Sequence, residues 1–137
     1  MTGSSVVPTL RYRDGRDAID WLCRAFGFAV KAVYEGPGGS IAHAELTHGS
    51  GMIMLGSAET EFSRLVTTPA ESGAPAGAIY VVVQDVDAHH ANAKAEGAEI
   101  VRAPRNQDYG GRDYTARDPE GYIWSFGTYD PWSAPQA

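Results

Sequence analysis

His43 and Glu45 alternate along one extended stretch, 41–47, so an imidazole and a carboxylate fall on the same side of a strand. An imidazole with an ordinary pKa of about 6.5, oriented by a carboxylate, is a general acid–base pair. The same two groups read equally as a hydrogen-bonded polar pair at a strand end, and Glu45 could instead neutralise Arg11. Adding His48 gives three metal-type ligands, but its spacing from His43 turns it to another direction unless the strand bends. Cys23 stands inside a helical stretch beside Arg24, which suits a buried structural thiol rather than a nucleophile. His89 and His90 occupy adjacent faces of a short helix and read as solvent-exposed and inert. In 105–112 a tyrosine, Tyr109, sits among polar residues ahead of Gly110 and Gly111. That suits either a lip stacking on a planar ligand or an ordinary glycine-rich connection.

These groups lie on elements that recur. An extended opening, 6–13, breaks at Asp14-Gly15, and Ala18, Trp21, Leu22, Ala25 and Phe26 then repeat at helical spacing up to Gly27. Asp20 and Arg24 can pair four residues apart on the outer face. Three strands follow at 28–35, 41–47 and 52–55, separated by glycine-rich breaks. The second half repeats the order. It has a strand over 78–83, a helix marked by Ala88, Ala91 and Ala95 that ends at Gly97, and strands over 99–103, 112–117 and 122–126. Asp14 and Asp85 are 71 residues apart, and the helix-ending Gly27 maps within one residue of Gly97. The chain thus reads β-α-β-β-β twice. We expect one α+β domain over 1–137, with modules at about 6–56 and 78–129 joined by a polar linker over about 57–77. An exposed tryptophan is costly, so Trp132 is expected to pack on its own body or on a partner subunit.

The bulk numbers narrow the partners. The chain has 137 residues, 43% hydrophobic and 20% charged, which is ordinary globular composition. The net charge of −6, without a Lys/Arg cluster, argues against nucleic acid and mildly favours neutral or cationic ligands. No apolar run approaches the roughly 20 residues of a membrane span, and the first residues carry no signal-peptide pattern. A single cysteine suits a reducing cytoplasm.

The run Arg117-Asp118-Pro119-Glu120-Gly121-Tyr122-Ile123-Trp124-Ser125-Phe126 resembles the closing hairpin of the vicinal-oxygen-chelate superfamily, which includes glyoxalases, bleomycin-resistance proteins and dioxygenases. Pro8-Thr9-Leu10-Arg11-Tyr12, Ala25-Phe26-Gly27-Phe28 and His43-Ala44-Glu45-Leu46 are similar to motifs of the same group, in the same order. The resemblance implies a cup-shaped mixed sheet with helices outside, built from the two modules. It also implies that metal-using members draw one ligand from the first and one from the last strand of each module. Those positions fall here at Val7, Met54, Ala78 and Ser125, both pairs again 71 apart. Two hydrocarbon side chains, a thioether and a lone hydroxyl make a poor set for a divalent ion. We therefore expect no metal and no other cofactor.

If Ser125 faces the cleft, alternation brings Ile123 with it. Pairing across the Asp118–Gly121 turn sets Tyr114 opposite Ser125 and Ala116 opposite Ile123. The matching argument sets His43 opposite Met54 and Glu45 opposite Met52. The expected lining is then Thr9, Arg11, His43, Glu45, Met52, Met54, Tyr80, Val82, Tyr114, Ile123 and Ser125, with Tyr109 and Arg112 from the loop. A one-residue error in register would exchange the two faces. Met52 and Met54 also read as core filler.

The leading expectation is a homodimeric binding protein that sequesters a planar or peptide-type antibiotic, as the resemblance to metal-free bleomycin-resistance proteins implies. The alternative is a lyase, isomerase or dioxygenase using displaced ligands, or His43 and Glu45 as acid and base. A third is a paralogue whose cleft is filled by its own side chains and which acts only through protein contacts.

Overall fold

The computed structural model describes residues 3–57 and 65–133. The chain forms two compact units, Met1–Gly73 and Ala74–Ala137. Residues 58–64 of the polar linker lie outside the described residues. Its end forms a short helix, α2, over Pro69–Ser72, which is numbered here in chain order.

In the first unit, strand β1 (Thr9–Tyr12) leads to helix α1 (Gly15–Phe26), then β2 (Ala29–Glu35), β3 (Ile41–His48) and β4 (Gly51–Ser57). The sheet order is β1-β4-β3-β2, with β1 parallel to β4 and the other pairs antiparallel. Helix α1 starts where the Asp14 carboxylate accepts the Asp17 amide at 3.0 Å. It stops at Gly27, whose φ of 83° is the left-handed conformation that a side chain resists. The expected apolar face is buried: Ala18, Trp21, Leu22, Ala25 and Phe26, joined by Ile19. It packs with Leu10, Tyr12, Ala44, Leu46, Ile53 and Leu55, which alternate along the strands. Asp20 and Arg24 pair at 2.9 Å as their spacing predicts.

The second unit repeats the plan with β5 (Ala78–Val82), α3 (Val86–Ala95), β6 (Glu99–Asn106), β7 (Arg112–Arg117) and β8 (Ile123–Gly127), in sheet order β5-β8-β7-β6. Each unit is thus one β-α-β-β-β module with a mixed four-stranded sheet. Its core is Tyr114, Ala116, Trp124 and Phe126, with Val86 and Ala93 from the helix. Here the alanine stripe misleads. Ala88, Ala91 and Ala95 are exposed, and α3 turns His89 and His90 inward instead. The His89 ring lies 4.2 Å from that of Phe126, and its Nδ1 is 2.6 Å from the Tyr114 hydroxyl. His90 meets the Tyr114 ring edge-on at 5.2 Å. Both histidines are half-buried packing groups rather than exposed ones. An imidazole offers the core far more surface than an alanine methyl, so it decides which face of the helix docks. Burial pushes the Tyr114 hydroxyl well above the usual range. Trp132 is 95% exposed and so does not pack on the described body of its own chain.

Candidate functional site

One face of each sheet packs on its helix, and the other is the open face that carries the candidate residues. In the first unit the row Thr9–Met54–Glu45–Ala32 crosses all four strands. In the second, the equivalent row is Tyr80–Ser125–Thr115–Arg102.

The register differs from expectation in both hairpins. Glu45 stands opposite Met54 and Thr47 opposite Met52, two residues from the expected pairing, so His43 and Glu45 keep their face. In the second unit the slip is one residue. Thr115 stands opposite Ser125, Tyr114 opposite Phe126 and Ala116 opposite Trp124. Tyr114 is therefore fully buried on the helix side, and Thr115 and Arg117 replace it and Ala116 on the open face. Arg112 turns the same way as Tyr114. Its guanidinium grips the Asp87 carboxylate of α3 with two bonds, of 3.1 and 3.0 Å. Arg105 and Asn106, expected in the loop, are the last residues of β6.

On the first open face His43 Nε2 and Glu45 Oε2 are 3.0 Å apart. Lys31 Nζ lies 3.7 Å from the other Glu45 oxygen. The hydrogen bond from His43, with the charge of Lys31 behind it, holds the Glu45 carboxyl below its usual range. The Tyr34 ring lies 5.9 Å from that of His43. Arg11 is buried on this face, where Gly56 leaves space: a Cβ there would stand 3.2 Å from its Nη1. Met52 and Met54 are half-buried and Thr9 is exposed. His48 packs edge-on against Phe28 at 5.3 Å, and burial pushes its pKa down. It does not join His43 and Glu45, and no three His, Cys, Asp or Glu groups converge as metal ligands among the described residues. Burial and the nearby Asp20 charge push the half-buried Cys23 thiol up, which disfavours the nucleophilic thiolate.

The second open face holds a connected polar network. Its centre is Asp113, opposite Gly127 and 6% exposed. Gln107 Nε2 donates to Asp113 at 2.9 Å, the Tyr109 hydroxyl donates at 3.3 Å, and Arg102 Nη2 makes a short ion pair with it. Burial acts to raise the Asp113 pKa, but the bonds from Gln107 and Arg102 and the arginine charge outweigh it and keep the carboxyl below its ordinary value. Arg102 Nη2 also donates to Thr115 Oγ1 at 3.3 Å, and that hydroxyl shares a 2.7 Å bond with Ser125. Tyr80, 39% exposed, donates its hydroxyl to the Tyr129 carbonyl at 2.7 Å. Tyr109 sits edge-on to Tyr129 with ring centroids 5.4 Å apart. Val82 and Ile123 share this face with Tyr80 and Ser125.

Arg102, Asp113 and Thr115 were absent from the expected lining. Two irregularities moved them there. A bulge at Val101 shifts β6 by one residue against β7, as a bulge at Lys31 shifts β2 against β3. The last turn of the second unit is also one residue longer than a tight pairing predicts. The sequence holds a signal of the slip, since Asp14 and Asp85 differ by 71 but Gly27 and Gly97 by 70.

Charge on the open faces runs against the expected preference for a cation. The second face presents Arg102, Arg105 and Arg117 against Asp113 and Glu99. The chemistry at the four positions a metal would use remains unsuitable. Val7 lies ahead of β1, Ala78 offers a methyl, Met54 a thioether, and the Ser125 hydroxyl is engaged by Thr115. This donor set does not fit a divalent ion.

Comparison with known proteins agrees with the fold. The family model of the Glyoxalase/Bleomycin resistance protein/Dioxygenase superfamily matches residues 5–126. An uncharacterized protein of Mycobacterium bovis is 32% identical over 121 residues, covering 88% of this chain and 80% of its own length. Among solved structures, TioX from Micromonospora sp. ML1 is similar with a TM-score of 0.72 and 34% identity, over 91% of this chain and 98% of that one. The fosfomycin resistance protein FosX of Listeria monocytogenes has a TM-score of 0.69 at 15% identity, over 96% and 98% of the two chains, a likeness of fold alone.

Proposed function

The chain belongs to the Glyoxalase/Bleomycin resistance protein/Dioxygenase superfamily, and on that footing we propose that it binds a planar small molecule on its open sheet faces, without a metal and without turning it over. The observation that carries this reading is the donor set at Val7, Met54, Ala78 and Ser125. It leaves the Lewis-acid route without ligands, while tyrosines and half-buried methionines remain for stacking and apolar contact. Thr9, Arg11, Met52 and Met54 belong to the first binding face, with His43 and Glu45 as polar contacts, and Tyr80, Val82, Ile123 and Ser125 to the second, with Tyr109 at its rim. Sequestration of an antibiotic by a cytoplasmic homodimer is the biological role this reading favours, closest to the metal-free bleomycin-resistance proteins. No helix among the described residues is long and apolar enough to cross a membrane.

A thermal-shift screen against planar and peptide-type antibiotics tests it, because a ligand that binds only the folded chain raises Tm by mass action. The expected result is a compound that raises Tm and is recovered unchanged after long incubation. A panel with no micromolar binder, or a compound consumed catalytically, would overturn the reading.

One observation favours a second reading, an enzyme. The 3.0 Å contact of His43 with Glu45 is an oriented base on an accessible face. In that case His43→Ala abolishes turnover of a bound compound while leaving its Kd nearly unchanged.

A further inference from the structure

The net charge of the chain is −6, yet the open face of the second unit carries three arginines against two carboxylates. Two of the five charges are spent on each other at the margin, where Arg117 Nη1 meets Glu99 at 3.5 Å. The pair that matters is Arg102 with Asp113, which the Tyr80 hydroxyl approaches from the far edge of the sheet across Gly127. There Arg102 commits Nη2 to Asp113 and Thr115, while Nη1 is withdrawn from solvent and has no hydrogen-bond partner among the described residues. A guanidinium nitrogen that has lost water and gained no acceptor carries an uncompensated desolvation cost. An acceptor delivered by a ligand would remove that cost, and a charged acceptor would remove most of it.

Asp113 does not use up the cation. Its two oxygens also receive Gln107 and the Tyr109 hydroxyl, so its charge is shared among three donors and held in place by them. Arg102 thereby stays fixed in the sheet, with Tyr80 on the same cross-strand row. A fixed guanidinium and an exposed tyrosine ring at the two ends of one cross-strand row form a receptor for an aromatic body that spans the face and bears an anionic acceptor.

We propose that the second open face selects aromatic ligands carrying a carboxylate or equivalent anionic acceptor, with Arg102 as the residue that sets this preference. The inference rests on the small-molecule-binding reading and narrows its ligand class, replacing the cationic preference suggested by net charge.

The test is a charge series on one ring system: 2-naphthoate, 2-naphthamide and 2-naphthylmethylamine, each titrated calorimetrically into the full chain. The expected order is naphthoate tightest, by about tenfold or more over the amide, with the amine weakest; a tenfold change corresponds to about 1.4 kcal/mol. Arg102→Gln should bring naphthoate down to the level of the amide, and Arg102→Lys should keep part of the preference. Equal or tighter binding of the amide or amine by the native chain overturns the proposal and needs no variant. So does a carboxylate preference that survives Arg102→Gln in protein whose circular dichroism and Tm match the parent. If none of the three binds, but a planar compound from the antibiotic panel does, the charge assignment fails while the binding reading stands. If no planar compound binds at all, both fail together.

Discussion

A methyl group on Gly127 would stand 2.6 Å from the Tyr80 hydroxyl and 2.8 Å from Asp113 Cβ, closer than atoms can approach. Gly127 ends β8 directly opposite both Val82 and Asp113, and its missing side chain is the space that Tyr80 lies across. Gly127→Ala must therefore displace Tyr80 from the Tyr129 carbonyl or push Asp113 out of its donors. We expect a loss of about 1–3 kcal/mol, the usual cost of overpacking, measured by chemical denaturation. Binding of any ligand that stacks on Tyr80 should weaken along with it. A variant as stable as the parent would show that the tyrosine has free room elsewhere. Strand alternation and the family resemblance put both Tyr80 and Ser125 in the expected lining. They could not identify Gly127, Asp113 or Arg102, because a glycine's importance lies in what crosses it and a carboxylate's in who donates to it.

At the scale of elements, the two modules were legible because helix caps and apolar periodicity are local signals. Asp14 and Asp85 both accept an amide three residues on, at 3.0 Å in each case. The face of β7 was not legible, because it depends on one residue in a turn. The last turn runs from Asp118 through Tyr122 before Ile123 pairs with Arg117. The extra length is held by the buried Asp118 carboxylate, which accepts the amides of Glu120 and Tyr122 at 3.0 and 3.1 Å and the indole N–H of Trp124 at 3.1 Å. With a period of two, that single residue moves Tyr114 into the core and Thr115 onto the open face. Asp118→Ala strands three donors, the Trp124 indole fully buried and the two amides partly so, and should cost about 2–4 kcal/mol, given about 1–3 kcal/mol for each unsatisfied buried group and recovery by water at the two amides. Asp118→Asn keeps acceptors for the two amides and should lose less. Equal denaturation midpoints for the two variants would mean that the Trp124 bond, rather than the turn, dominates.

For the whole chain, the displaced titrations combine into one stability profile. Burial holds His48 below its ordinary value of 6.5 in the fold, so the unfolded chain binds that proton first as pH falls. Its contribution is complete above pH 6.5 and is lost on descending through the lower folded value. Glu45, Asp87 and Asp113 are likewise held below their ordinary values of 4.5, 3.8 and 3.8, so their contributions are present above those values and disappear on acidification below them. Tyr80, Tyr109 and Tyr114 are shifted the other way, above 10.0, so they favour the fold below that pH and lose their contribution as pH rises through their folded values. The expected profile is a plateau between about pH 6.5 and 9, an alkaline fall that the raised Cys23 thiol begins and the tyrosines continue, and an acid limb in two stages. His48→Gln should remove the upper stage, leaving stability flat from neutrality down to the carboxylate range. Asp113→Asn should make the lower stage shallower and leave the upper one intact. Denaturation free energies measured in steps across this range decide the matter. An acid limb of one stage in the parent, or an upper stage that persists in His48→Gln, would show that the histidine packed on Phe28 is not the group that titrates first.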